Sequence, residues 1–122
     1  MYGQYCENGG RRWTVRETRE NTRGAKVRKA GYNRFIVEYP DGRRAYRVHS
    51  TDVVSIKGRT VTFDDGGWRT KLTHRAMRDG FVALTGLHAN ISAGKRKAHA
   101  LWALDGYPEV EFNAPFKLRL SK

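Results

Sequence analysis

Residues 60–79 read TVTFDDGGWRTKLTHRAMRD. The first four alternate polar and apolar side chains, with Val61 and Phe63 inward and Thr60 and Thr62 outward. That is the period of two of a half-buried strand. Asp64-Asp65-Gly66-Gly67 ends it, because Asp caps free backbone N–H groups and Gly accepts conformations closed to other residues. Trp68, beside two glycines, is expected to lie flat on the open end of a sheet. The pattern then changes period. Residues 71–79 predict a short helix, with Thr70 or Thr73 as N-cap and Gly80 as the left-handed residue that ends it. Leu72, Ala76 and Met77 form its apolar side. Lys71, His74, Arg75 and Arg78 fall at i, i+3, i+4 and i+7, so all four share one stripe.

Upstream lies a meander. Residues 34–39 (RFIVEY) put Phe35, Val37 and Tyr39 on one face. Pro40-Asp41-Gly42 forms a turn, and residues 44–49 return with Tyr46 and Val48 on one face and Arg47 and His49 on the other. Residues 52–56 (DVVSI) and 59–63 (RTVTF) are joined by Lys57-Gly58. Downstream, residues 81–85 (FVALT), 87–91 and 98–104 (AHALWAL) read as further strands, and EVEF and FKLRL close the chain. The expected fold is therefore α+β: a small antiparallel, twisted β-meander, one short cationic helix over about 70–79, then more strands. Residues 31–122 are expected as one domain and residues 1–30 as a basic arm or long loop. Within that arm, Trp13 and Val15 are expected as a short strand. Tyr2, Tyr5 and Trp13 stand among Arg11, Arg12 and Arg16, where they either stack on nucleobases or cover one edge of the core.

The chain has 122 residues, enough to bury a core without metals or disulfides. One cysteine, Cys6, excludes an intrachain disulfide and fits a reducing compartment. No segment has the length of a membrane span and no signal peptide is evident, so no membrane partner is expected. The net charge is +12, from 24 Lys and Arg against 12 Asp and Glu. Such an excess draws polyanions. It lies in two blocks: residues 1–30 carry net +5 and residues 67–100 net +6, with residues 31–66 near neutral at +1. The second block holds the helix stripe, Arg69 and the loop tip Lys95-Arg96-Lys97. The first holds Arg11 and Arg12. Like charges on one helix stripe repel, and a phosphate backbone or an acidic partner would relieve that repulsion. An ordinary solvated face is the other reading.

The run YRVHSTDVVSIKGRTVTFDDGGWRTKLTHRAM, residues 46–77, resembles a family of small, mostly uncharacterised bacteriophage proteins. His49, Thr51, Asp52, Val53 and Val54 carry the resemblance, followed by Thr60, Val61 and Thr62. Gly66, Gly67, Trp68, Arg69, Thr70 and Thr73 complete its most specific part. Phe81 to Leu84, Trp102-Ala103-Leu104 and Val110-Glu111-Phe112 look like later family segments, so the likeness covers about residues 33–120. The chain departs from the family at His74 and Ala76, where Lys and Arg are usual, while cations stand at Lys71, Arg75 and Arg78. The resemblance implies a phage-encoded accessory protein acting in the cytoplasm of an infected bacterium. It implies no particular reaction.

A hydrolytic site would draw on Asp52, Asp64, Asp65, His49, His74 and Arg69, as in a metal-dependent nuclease. The Asp-Asp-Gly-Gly run is read more simply as a turn. No catalytic residue, cofactor or metal is assigned. The expected activity is binding of DNA or RNA, or of a nucleoprotein, through a basic surface and largely without regard to sequence. Its candidate contacts are Lys71, His74, Arg75, Arg78, Arg69, Lys95, Arg96, Lys97, Arg11 and Arg12. Two alternatives stay open: a counter-defence or host-takeover inhibitor of a bacterial nucleic-acid-binding protein, and a minor virion protein facing packaged DNA.

Overall fold

A computed structural model describes residues 12–65, 71–94, 100–104, 107, 109–112 and 115–120, with the backbone alone at Lys71, Leu72 and Ala93. In chain order the elements are α1 (Val15–Asn21), β1 (Lys26–Gly31), β2 (Arg34–Glu38), β3 (Arg44–Val48), β4 (Thr51–Lys57) and β5 (Thr60–Phe63). Next come α2 (Lys71–Thr85), β6 (Asn90–Ala93), β7 (Ala100–Ala103), β8 (Val110–Phe112) and β9 (Phe116–Arg119). Six strands form one antiparallel sheet in the order β1-β2-β3-β4-β5-β9, and β6-β7-β8 form a second. The α+β class and the meander through β2–β5 are as the alternation predicts. Each hairpin pairs neighbours in sequence, so most connections stay short.

Strand alternation gives the large sheet two faces. One carries Tyr46, Val48, Val54, Ile56, Val61 and Phe63, which pack against α2 and the small sheet in the main core. The other carries Phe35, Val37 and Ala45, which form a second cluster with Ala25 and with half-buried Trp13, Val15, Val27 and Tyr39. Aromatic rings bind the main core together. Phe63 lies 6.1 Å from Phe81 and stacks at 5.5 Å on Phe112. Phe112 in turn stacks at 4.8 Å on Phe116, and Trp102 meets Phe81 edge-on at 6.2 Å. Such offset and edge-on pairs each add about 0.5–1.5 kcal/mol beyond burial. They join α2, the large sheet and the small sheet at one point.

The register of β3 and β4 slips by one. Tyr46 pairs with Val54, but Arg47 pairs with Asp52. Val53 is the extra residue of this β-bulge, and both Val53 and Val54 are buried in the main core. The slip brings Asp52 beside Arg47 on the opposite face.

Two expectations are corrected. Residues 81–85 are not a strand, and Gly80 does not end the helix: α2 runs from Lys71 through Thr85. Thr73, Ala76, Met77, Gly80, Phe81 and Leu84 are all buried, and their three- and four-residue spacing makes one helical face. Gly80 is there for packing. A Cβ at this position would sit 2.8 Å from Tyr46 Cβ, so only glycine lets the helix approach β3 this closely. The terminator is Gly86, at φ 77, whose N–H donates to Val82 O at 2.8 Å. The Arg44 guanidinium donates to Leu84 O at 3.0 Å, a cation at the negative end of the helix. Thr73 lies buried inside the first turn and is not the cap. Thr70 and the Gly66-Gly67-Trp68 bend fall outside the described residues.

The second correction concerns the N-terminal block. Residues 15–21, expected in an arm or long loop, form a helix, and residues 26–31 pair with β2 as the edge strand. Val15 belongs to that helix, so the expected short strand at Trp13 and Val15 is absent. Tyr2, Tyr5 and Cys6 lie outside the described residues. No helix among the described residues is long and apolar enough to cross a membrane.

Candidate nucleic-acid interface

The cationic surface is built on α1 and β1. Thr14 is the N-cap of α1: its side chain accepts from Glu17 N–H at 3.0 Å, and the Glu17 carboxylate accepts from Thr14 N–H at 3.0 Å. This capping box satisfies two of the donors that a helix start leaves free. At the other end Gly24 N–H donates to Arg19 O at 2.8 Å and Arg23 N–H to Glu20 O at 3.2 Å. That pair of bonds is the Schellman arrangement, and it puts Arg23 in the left-handed region at φ 58. Glycine is the usual occupant there, and a non-glycine residue costs on the order of 1–3 kcal/mol. An exposed arginine stands at this position.

Between residues 12 and 29 every cation is exposed: Arg12, Arg16, Arg19, Arg23, Lys26, Arg28 and Lys29. Among the described residues only Arg16 of these has an ion pair, with Glu20 at 3.5 Å. Three of them stand on β1, which among the described residues is an edge strand with no partner on its outer side. Charges there also keep another chain from adding to the edge.

A polar network fastens this layer to the sheet. Arg47 is buried and donates to Asp52 Oδ1 at 2.8 Å and to Asn21 Oδ1 at the end of α1. The Tyr39 hydroxyl donates to Asp52 Oδ2 at 2.5 Å. Arg43 lies over the Tyr39 ring at 3.9 Å. Burial, and then the bond to the Asp52 carboxylate, push the Tyr39 hydroxyl up to about 12. Next to the network is a cavity of about 440 Å³ lined by Asn21, Thr22, Arg23, Tyr39, Pro40, Asp41 and Arg47. Its size is in the range of small-ligand sites, and it opens beside the strained Arg23.

The sequence-predicted contacts divide. Arg12 is exposed, and its guanidinium lies 5.8 Å from the centre of the Tyr32 ring. Lys71 begins α2 and Arg75 is exposed on it. Arg78 is half-buried and donates to Ile91 O at 3.2 Å, so it serves the fold by tying α2 to β6. Half-buried His74 is held below the usual imidazole range, first by burial and then by Arg78, against an upward pull from Asp65. The stripe thus carries less free charge than its spacing implies. Arg69, Lys95, Arg96, Lys97 and Arg11 lie outside the described residues. Arg12 and the α2 cations are not brought together, because α1 and α2 cover opposite faces of the sheet.

Sequence reasoning finds the first basic block, takes Arg11 and Arg12 from it as candidate contacts and sets Arg16 beside the aromatic rings. It does not single out Arg19, Arg23, Lys26, Arg28 and Lys29. The signals that could have found them are the Thr14-x-x-Glu17 capping box and Val27 between two cations. Trp13 packs on the second cluster, which favours the core-covering reading of that ring.

Of the groups considered for catalysis, Asp52 is occupied by Arg47 and Tyr39. His49 is buried at the β3–β4 turn, where burial holds it below the usual imidazole range. Among the described residues no three His, Cys, Asp or Glu side chains converge in a way that would hold a metal. No protein-family model, no curated protein and no solved structure matches the chain.

Proposed function

We propose that this protein binds nucleic acid, alone or within a nucleoprotein, mainly through the α1–β1 layer and largely without regard to sequence. The observation that carries the reading is the run of seven exposed cations from Arg12 to Lys29, of which only Arg16 has an acidic partner among the described residues. Left-handed Arg23 adds an exposed cation just past the end of α1. The protein would act as a bacteriophage accessory protein in the cytoplasm of the infected cell, or on the DNA-facing side of a virion.

Binding of this kind rests on releasing counterions from phosphates. Its logarithm falls by about 0.9 per contacted phosphate for each tenfold rise in salt on duplex DNA, and by about 0.7 on a single strand. About five duplex contacts therefore give a slope of roughly −4.5. The test is retention of a random-sequence DNA at about 50 mM salt and its release by about 200 mM. Replacing Lys26, Arg28 and Lys29 together by Glu should weaken binding at least about tenfold and flatten the duplex slope by about 3. Arg75→Glu should do much less. Absence of binding at low salt sinks the proposal, and a larger effect from Arg75→Glu moves the interface to α2.

A further inference from the structure

We propose that the preferred partner is single-stranded nucleic acid, with Tyr32 as the platform on which one base stacks. This rests on the nucleic-acid reading above and specifies its substrate class. Tyr32 is 59% exposed, the most open large hydrophobic side chain among the described residues, ahead of Leu87 at 40%. It stands in the two-residue turn between β1 and β2, where Gly31 pairs with Arg34. The turn is fixed from both sides. Asn33, at φ 54, accepts from Trp13 N–H through its side chain at 2.6 Å, and its carbonyl accepts from His49 N–H at 2.9 Å. A ring on so firmly held a turn loses little freedom when a ligand covers it.

One cation lies by the ring, and others precede it in the chain. The Arg12 guanidinium is 5.8 Å from its centre, at the outer end of the cation–π range, so this contact leaves the ring largely open. Lys29 and Arg28 precede it on β1, and Lys26 lies farther along the same strand, all exposed. At about 3.3 Å per residue the cations from Lys26 to Lys29 extend over roughly 10 Å of the edge strand that leads to the turn, with Lys29 opposite Phe35 on the α1 face and Lys26 and Arg28 opposite Glu38 and Ile36 on the other. An unpaired strand running along this edge can present a base to the tyrosine and its phosphates to cations on either side of the edge. A duplex cannot, because its bases face one another inside the stack. Aromatic platforms flanked by positive charge bind single strands in this way with little regard to sequence, since every base has a π-face.

The test compares fluorescence anisotropy of a labelled oligothymidylate of about 15 nucleotides with that of a duplex of equal length at about 50 mM salt. Wild-type protein should bind the single strand more tightly. Tyr32→Ala should weaken it about fivefold or more, while leaving the salt slope and duplex binding nearly unchanged, because stacking releases no counterions. Tyr32→Trp should restore the affinity, and thermal unfolding of each variant confirms that the fold is retained. If Tyr32→Ala binds the single strand like wild type while the triple Glu variant does not, the platform falls and the basic interface stands. A wild-type preference for duplex likewise overturns the platform alone. Binding of neither nucleic acid overturns both proposals.

Discussion

The two faces of the large sheet are held by different physics. Among the described residues, sixteen buried side chains of the main core meet on the α2 face, where a helix and a second sheet close over them through apolar contact. On the α1 face only four buried apolar residues lie together among those described, and Arg47, Asp52, Tyr39 and Asn21 supply the rest through hydrogen bonds and an ion pair. The difference accounts for where free charge can stand. On α2 one cation beside the apolar face, Arg78, is drawn inward onto Ile91 O, while Arg75 stays exposed. The α1 helix is short, and it turns a small face inward and its arginines outward. A layer attached by polar bonds is the better place for a polyanion to dock, because its surface does not have to serve the core.

The sharpest way to break this contrast is to remove a ring from the apolar face. Phe81→Ala should cost about 3–5 kcal/mol in urea denaturation, since Phe81 is fully buried between Phe63 and Trp102. A loss below about 1 kcal/mol would mean that α2 does not bury this ring against the sheet. Alkali should instead reach the polar face first. The Tyr39 hydroxyl is raised from 10.0 to about 12 in the folded chain. The folded state therefore holds that proton more tightly than the unfolded one. The stability this gives is complete below pH 10 and is lost as pH rises from 10 towards 12. Urea midpoints at about pH 8, 10 and 11.5 should fall more steeply for wild type than for Tyr39→Phe; equal slopes would remove Tyr39 from the account. The smallest effect is local. Thr14→Ala should cost about 1 kcal/mol and quicken amide exchange in α1 while α2 is unchanged. Equal quickening in both helices would show that the two faces are not independent.

The sequence makes the sheet legible because β2, β3 and β5 alternate cleanly and Pro40-Asp41-Gly42 marks its turn unambiguously. It hides the full length of α2, because Gly80 has the form of a helix end. Only the approach to Tyr46 shows that the missing side chain makes room for β3. Phe81 and Leu84 read in the sequence as part of a strand, and they continue the apolar face of Thr73, Ala76 and Met77 only once Gly80 is inside the helix. The α1–β1 layer is hidden for another reason. RETRENTRGAKVRK has too few aliphatic residues to announce a core, and the partners that order it, Asn33, Arg47 and Asp52, are distant in the chain. The charge of the site is plain from composition. Which cations are free is not, since Arg78 and Arg75 differ only in what lies beside them.

The bulge at Val53 gives β4 the character of a message whose reading frame changes partway. In the regular register Val53 would face Arg47; the extra residue substitutes Asp52. Before the shift the strand addresses the α1 face with a carboxylate, and after it the α2 face with Val54 and Ile56. Neither face could be written into TDVVSIK by simple alternation, so one inserted residue lets a single strand serve an ionic attachment on one side and an oily core on the other.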